Sequence, residues 1–208
     1  MARILSQALI TRLPYAEKHD PKPIIEASKK VDLRGLICLS IPIHIENPNG
    51  DGDLIAELQK AGLFLVAKIV WFRDRHIVTT RSKRLTNTYE TLAIFSRSKS
   101  WIINRDAASK LKRGFENREA NFDDEEYQCC IGDHWAVRND RRDRRYLPDG
   151  IILNCAQLAD LQPKDTVLDL YGIPTIEEAC KTYGWTYRDL GLTSPLRAKR
   201  TQSSEGPV

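Results

Sequence analysis

Asp165-Thr-Val-Leu-Asp-Leu-Tyr-Gly-Ile-Pro-Thr175 is the stretch whose reading decides the fold. Its apolar core reads as a buried strand that ends in an acid, an aromatic and a glycine. In open α/β sheets, ligands sit beyond the carboxyl ends of the strands. A strand with this ending therefore opens a nucleotide-type pocket. Downstream, Ile176 to Tyr183 has helical spacing and stops at Gly184, and Trp185 to Leu190 reads as a last strand. A first Rossmann strand placed this late in 208 residues has little chain left to follow it.

The elements such a strand needs lie upstream. Gly150 to Leu161 carries apolar residues at Ile151, Ile152, Cys155, Leu158 and Leu161, a helical stripe. Ile4 to Thr11 reads as a short buried strand closed by Arg12-Leu-Pro-Tyr15. Lys18 to Lys30 reads as loop then helix. Gly35 to Pro42 is a second strand, opened by glycine and ended by proline. Asn47 to Gly52 is a turn cluster. A helix over Asp53 to Ala61 follows, with Asp53 as N-cap and Gly62 at its stop. Leu63 to Phe72 is a near-continuous apolar run, which predicts a central strand. Glu90 to Ser96 and Trp101 to Ile103 read as further strands. Arg73 to Arg84 and Arg105 to Glu126 are charged stretches without an apolar period.

Composition sets outer bounds. Hydrophobic content of 41% and charged content of 29% are globular values, and the net charge of +4 is compatible with a nucleic-acid partner without requiring one. Cys38, Cys129, Cys130, Cys155 and Cys180 form no CxxC pair. An odd, scattered set argues against a disulfide framework. No run reaches the length of a membrane span, and Met1 to Ser6 has no signal-peptide character. The expectation is a soluble cytoplasmic protein without a metal: His134, His19 and His44 have no partner at ligand spacing.

Taken in order, these pieces resemble the β-class amino-methyltransferases of DNA, which methylate cytosine N4 or adenine N6 with S-adenosylmethionine. In that family the catalytic half precedes the cofactor half, a circular permutation of the Rossmann-like methyltransferase order. The resemblance runs from about Ala8 to Leu190. Arg12-Leu-Pro-Tyr15 stands where the family has Ser/Asp/Asn-Pro-Pro-Tyr/Trp. Gly62-Leu-Phe64 with Ile69-Val-Trp71 matches its "G-F…ivW". Glu90 to Arg97, Asn104 and Asp133-His-Trp135 follow in the family's order, and Pro148 keeps the last proline of the next element. Val167 to Thr175 corresponds to "V-L-D-P-F-x-G-x-G-T-T". The resemblance implies an α/β fold with a mostly parallel sheet flanked by helices. Chain length reads as a single domain over residues 1–197, and the Ser-, Lys- and Arg-bearing residues 198–208 read as a mobile tail.

The departures fall where the family's function sits. In the family, a side-chain oxygen and a backbone carbonyl hold the target amine, and the aromatic stacks on a base flipped out of the duplex. The amine gains positive charge as it attacks the sulfonium methyl, so a polar or anionic first residue is favourable. Here that residue is Arg12. A guanidinium a few Å away opposes the charge by a few kcal/mol at an effective dielectric of about 20, roughly two to three powers of ten in rate. Leu13 replaces the first proline; Pro14 and Tyr15 remain, so Tyr15 either stacks a base or merely caps its strand. In the cofactor loop Gly172 stands alone, followed by β-branched Ile173 and by Pro174, which lacks an amide donor. Asp169, Tyr171 and Gly172 are the positions left to hold the cofactor, or they pack and cap a strand in a collapsed pocket. The family's ribose-binding acid has its counterpart at Gly191, with Asp189 two residues earlier.

Two basic clusters could meet phosphates: Lys83 and Arg84, in the place of the family's target-facing loop, and Arg138, Arg141, Arg142, Arg144 and Arg145. The bland alternative is a solvated loop, with Asp140 and Asp143 balancing part of the charge. Trp101 and Trp135 read as core anchors. The sequence thus predicts a catalytically degenerate relative that binds no cofactor and acts by binding DNA or by joining a protein partner or a second copy of itself. Two alternatives stand beside it. One is an active enzyme using S-adenosylmethionine; the other is a protein-interaction module or inhibitor that binds no DNA.

Overall fold

Along three neighbouring strands, alternate side chains enter two different cores. Ala8 and Ile10, Leu36 and Cys38, Leu92 and Ile94 join one cluster, whereas Leu9, Ile37 and Leu39, Ala93 and Phe95 join the other. A sheet covered on both faces needs apolar residues at every position, which is why these segments read as unbroken apolar runs. The computed structural model describes residues 6–44, 46–73, 89–101, 103–104, 134–137 and 146–192.

Seven strands form one sheet: β1 (Gln7–Arg12), β2 (Leu36–Pro42), β3 (Phe64–Arg73), β4 (Tyr89–Ser96), β5 (His134–Val137), β6 (Thr166–Asp169) and β7 (Thr186–Asp189). Their spatial order is β5-β3-β4-β2-β1-β6-β7. β4 runs antiparallel to both β2 and β3, and the other pairings are parallel. The expected mostly parallel sheet is present.

Helices α1 (Lys22–Ser28) and α2 (Gly50–Lys60) cover one face through Ile24, Ala27, Leu54, Ile55 and Leu58. Helices α3 (Asp149–Leu158) and α4 (Pro174–Tyr183) cover the other through Ile151, Ile152, Cys155, Ile176 and Cys180. α4 ends where expected, at Gly184 in the left-handed region with φ 74°, a conformation that penalises any side chain with a Cβ.

β1 and β6 lie side by side in parallel, with Gln7 opposite Thr166 and Leu9 opposite Leu168. From β1 the chain proceeds through α1 to β2 on one side. From β6 it proceeds through α4 to β7 on the other. The order of the sheet therefore reverses between β1 and β6, and a crevice at their carboxyl ends is where such a sheet binds ligands.

Two sequence expectations need correction, and one strand carries no signal in the sequence. The Asn47 to Gly52 stretch is not wholly a turn: α2 begins at Gly50 with Asn49 as N-cap, so Asp53 lies inside the first turn. The same small polar residues favour turns and helix starts alike, so the boundary was ambiguous. Trp101 and Ile103 are in no strand; Trp101 instead packs, partly buried, against the core. β5 was not anticipated, because four residues between charged stretches give no periodicity. Its Trp135 is buried, as a core anchor should be.

Candidate active site

The carboxyl ends of β1 and β6 bring the two expected motifs together. Asp169, the last residue of β6, is fully buried. Its Oδ1 accepts from the Thr11 hydroxyl at 2.7 Å and from the Tyr171 N–H at 3.2 Å. Its Oδ2 accepts from the Ile173 N–H and from the Tyr187 hydroxyl, the latter at 3.2 Å. One carboxylate thus ties β1, the β6–α4 turn and β7 into a single knot. Burial pushes the Asp169 carboxyl above its ordinary value, and the donors from Ile173, Thr11, Tyr171 and Tyr187 pull only part of the way back.

The turn beyond Asp169 is built by its own residues. Gly172 has φ 63°, which admits the reversal without strain. Ile173 is buried and stands as N-cap of α4, with Pro174 at the first helical position, where its missing N–H costs nothing. Tyr171 is half-buried between both cores. Among the described residues, the Thr175 hydroxyl is a buried group with no hydrogen-bond partner. Asp189 closes β7 opposite Asp169 in register, with its side chain exposed, and its Oδ1 accepts from the Gly191 N–H at 2.8 Å.

Asp169 spends both oxygens on protein donors, and a β-branched side chain and a proline stand where a glycine-bearing loop would let a ligand approach the backbone.

The acceptor side corrects one further expectation. Arg12 is not a bare cation. It is buried and paired in bidentate fashion with Glu90 at the start of β4: Nη2 to Oε1 at 2.7 Å and Nε to Oε2 at 3.0 Å. The Ser40 hydroxyl also donates to Glu90 Oε2 at 2.8 Å. The Trp71 indole N–H lies 3.4 Å from the Ser40 hydroxyl oxygen, at the long end of a hydrogen bond. A carboxylate at this distance cancels most of the guanidinium's field, so the charge opposition expected from the sequence is largely removed. Leu13 is buried, its N–H donating to the Ser40 carbonyl at 2.9 Å. Tyr15 is 54% exposed, and its ring lies 4.6 Å from that of His44 at an interplanar angle of 40°.

Behind this rim, burial chiefly lowers the pKa of His19, with neighbouring His44 adding to the effect and a hydrogen bond to the Pro42 carbonyl opposing it. On the α2 face, burial disfavours charge on Asp51. The Thr91 hydroxyl and the Lys68 ammonium, 2.7 and 3.0 Å from Oδ2, outweigh that and hold Asp51 below the ordinary carboxylate range.

Thr11, Glu90, His44 and Tyr187 are the residues that sequence reasoning did not assign to this site. Glu90 carried a signal, being a lone acid at the head of an apolar strand. The others are ordinary residues whose role depends on the pairing of strands. Lys83, Arg84, Arg138, Arg141, Arg142, Arg144 and Arg145 lie outside the described residues. Among the described residues, no helix is long and apolar enough to cross a membrane, and no cluster of His, Cys, Asp and Glu is suited to a metal.

Solved structures share this architecture. M1.HpyAVI in complex with SAM matches at 15% identity and a TM-score of 0.60, over 95% of this chain and 90% of that one. The PvuII DNA methyltransferase, specific for cytosine N4, matches at 12% identity and 0.62, over 89% and 74%. TTHA0409 from Thermus thermophilus, a putative DNA modification methylase complexed with S-adenosyl-L-methionine, matches at 13% and 0.57, over 97% and 87%. No protein-family model matches the sequence, and no curated protein does. The fold is thus DNA methyltransferase-like, as the order of motifs implied.

Proposed function

We propose that this chain is a DNA methyltransferase-like protein that has lost methyl transfer and works by binding nucleic acid, as a scaffold or as the partner of an active enzyme. The observation that carries this reading is the saturation of Asp169 at the switch point. Thr11, Tyr171, Ile173 and Tyr187 together use both carboxylate oxygens, and the turn that follows is Gly-Ile-Pro. Topology adds support for the nucleic-acid part. The carboxyl ends of β3 and β5 lie at the same edge of the sheet as Asp169, and in the sequence the arginine-bearing stretches 74–88 and 138–145 come directly after them.

Titration calorimetry with S-adenosylmethionine, run beside transfer of a radiolabelled methyl group to duplex DNA, tests the reading. Silence in both, with DNA binding that weakens as salt rises, is the expected result. Micromolar affinity for the methyl donor would overturn it.

One observation favours a second reading, that of an active enzyme. Because Glu90 neutralises Arg12, the acceptor site is not electrostatically closed to an amine that gains charge. In that reading Tyr15 stacks the target base and the carbonyl of Leu13 or Pro14 holds the amine. Asp169, Tyr171 and Gly172 would line the donor site, where S-adenosylmethionine would supply the methyl group.

A further inference from the structure

Basic side chains gather at the edge of the sheet away from the crevice. β2 and β3 begin there and β4 ends there, with Leu36 and Phe64 both opposite Ser96. Segments 29–35, 60–63 and 97–100 therefore meet at that edge. They carry six basic residues, Lys29, Lys30, Arg34, Lys60, Arg97 and Lys99, against one acid, Asp32. The carboxyl edge has the opposite balance among the described residues. Glu17, Asp20, Glu46, Asp53, Asp149 and Asp189 are exposed there, against Lys18 and Lys22.

Hydrogen bonds hold this patch together. Arg97 Nη1 donates to the carbonyls of Lys29 at 3.1 Å and Val31 at 2.9 Å, and the Ser98 hydroxyl donates to the Leu33 carbonyl at 2.9 Å. The turn after α1 is thus clipped to the end of β4. The Lys99 ammonium stands 5.7 Å from the centre of the Phe64 ring at the start of β3. Lys29 is paired with Glu26, but Lys30, Arg34, Lys60 and Lys99 are exposed and enter no ion pair among the described residues. Lys60 also steadies the end of α2; Arg34 and Lys99 lie outside any helix and have no such task. Neighbouring strands are about 4.8 Å apart, within the Debye length of about 8 Å at physiological salt, so the fields of these cations add.

We propose that this edge is a second nucleic-acid contact, which takes the phosphate backbone of duplex DNA without regard to base sequence. The inference rests on the nucleic-acid reading given above and goes beyond it, because it places a contact on the side of the sheet opposite the crevice. A duplex carries one phosphate per about 3.4 Å of axis on each strand. The two strand intervals from β3 to β2, about 10 Å, therefore accommodate about three. Lysine and arginine meet such a row by charge and read no bases. A lipid surface would draw on apolar area as well, and Leu33, 61% exposed, is the one large apolar side chain exposed in these segments.

Fluorescence anisotropy with the full chain and two labelled duplexes of unrelated sequence tests this, over about 50 to 200 mM salt. Arg34→Gln with Lys60→Gln and Lys99→Gln should weaken both duplexes alike. It should also lower the slope of log affinity against log salt by about two to three, close to one per phosphate contact removed. Arg34→Lys with Lys60→Arg and Lys99→Arg keeps the charges and should bind as the parent does. Lys18→Gln with Lys22→Gln, at the crevice edge, should leave the slope unchanged. Retained thermal unfolding of the glutamine variants shows that the fold is intact. Three results would each overturn the proposal while leaving nucleic-acid binding in place: a triple glutamine variant with the parent's affinity and slope, an equal loss in the Lys18 and Lys22 variant, or tighter binding of the parent to phosphatidylserine vesicles than to duplex. Failure of the parent to bind either duplex would remove both readings.

Discussion

Replacing Glu90 by Gln should be among the most damaging single changes this fold can suffer. The substitution is nearly isosteric, yet it leaves the Arg12 guanidinium buried without its counter-charge; the two side chains are 5% and 2% exposed. Breaking a buried ion pair from one side costs about 3–5 kcal/mol. For a chain of this size each kcal/mol shifts Tm by about 2–4 °C, so the expected loss is about 6–20 °C. The double variant Arg12→Met with Glu90→Leu removes both charges at once and should recover most of that loss, since apolar replacement of a buried pair is often close to neutral. A residual cost of about 1–2 kcal/mol is expected from the Ser40 hydroxyl, which donates to Glu90 and would be left without an acceptor. Urea unfolding of the parent, Arg12→Met, Glu90→Leu and the double variant closes the cycle, with Glu90→Gln measured beside them. Single variants that each lose less than about 1 kcal/mol, or a double variant that loses the sum of the two, would refute the claim that Glu90 neutralises Arg12.

Three further outcomes are expected. Asp169→Asn turns an amide donor toward a ring of donors, so at least one of Thr11, Tyr171, Ile173 and Tyr187 loses its acceptor; denaturant titration should show a loss of about 1–3 kcal/mol for each group so orphaned, and an unchanged midpoint would contradict the knot. His19 has a depressed pKa when folded, so its contribution is present above the ordinary histidine value of about 6.5 and is lost as pH falls through that value toward the folded pKa. Thermal stability should therefore decline on acidification below about pH 6.5, and His19→Asn should flatten that part of the profile. Gly184→Ala forces a Cβ into φ 74°, with only ordinary contact to Pro163 at 3.6 Å; the cost should be conformational, about 1–2 kcal/mol, read from the unfolding midpoint.

The sequence carried the parts of this fold that repeat a local rule. Val167 and Leu168 in β6, the stripe of α3 and the glycine stop of α4 can be read because burial on a known period leaves few alternatives. The order of motifs then implied the permuted sheet. What could not be read depends on partners distant along the chain. Arg12 and Glu90 are 78 residues apart, and nothing near Arg12 shows that its charge is spent. Thr11 and Asp169 are separated by 158 residues, and their bond exists only because β1 pairs with β6. The candidate site was thus legible as a set of positions but not as a network. A charged residue read alone carries its full field, whereas inside the fold the field depends on which strand lies alongside.

The pairing of β1 with β6 also sets the timetable of biosynthesis. β1 takes its place beside a strand that leaves the ribosome more than 150 residues later, with the Ser6 N–H donating to Asp165 across 159 positions. A nascent chain can join β1 to β2 early, but the opposite edge of β1 stays unpaired until β6 has been made. Such distant parallel pairing is slow to form, and an open apolar edge recruits other chains. A transcript truncated before residue 166 would accordingly yield an aggregation-prone fragment and not a smaller working protein.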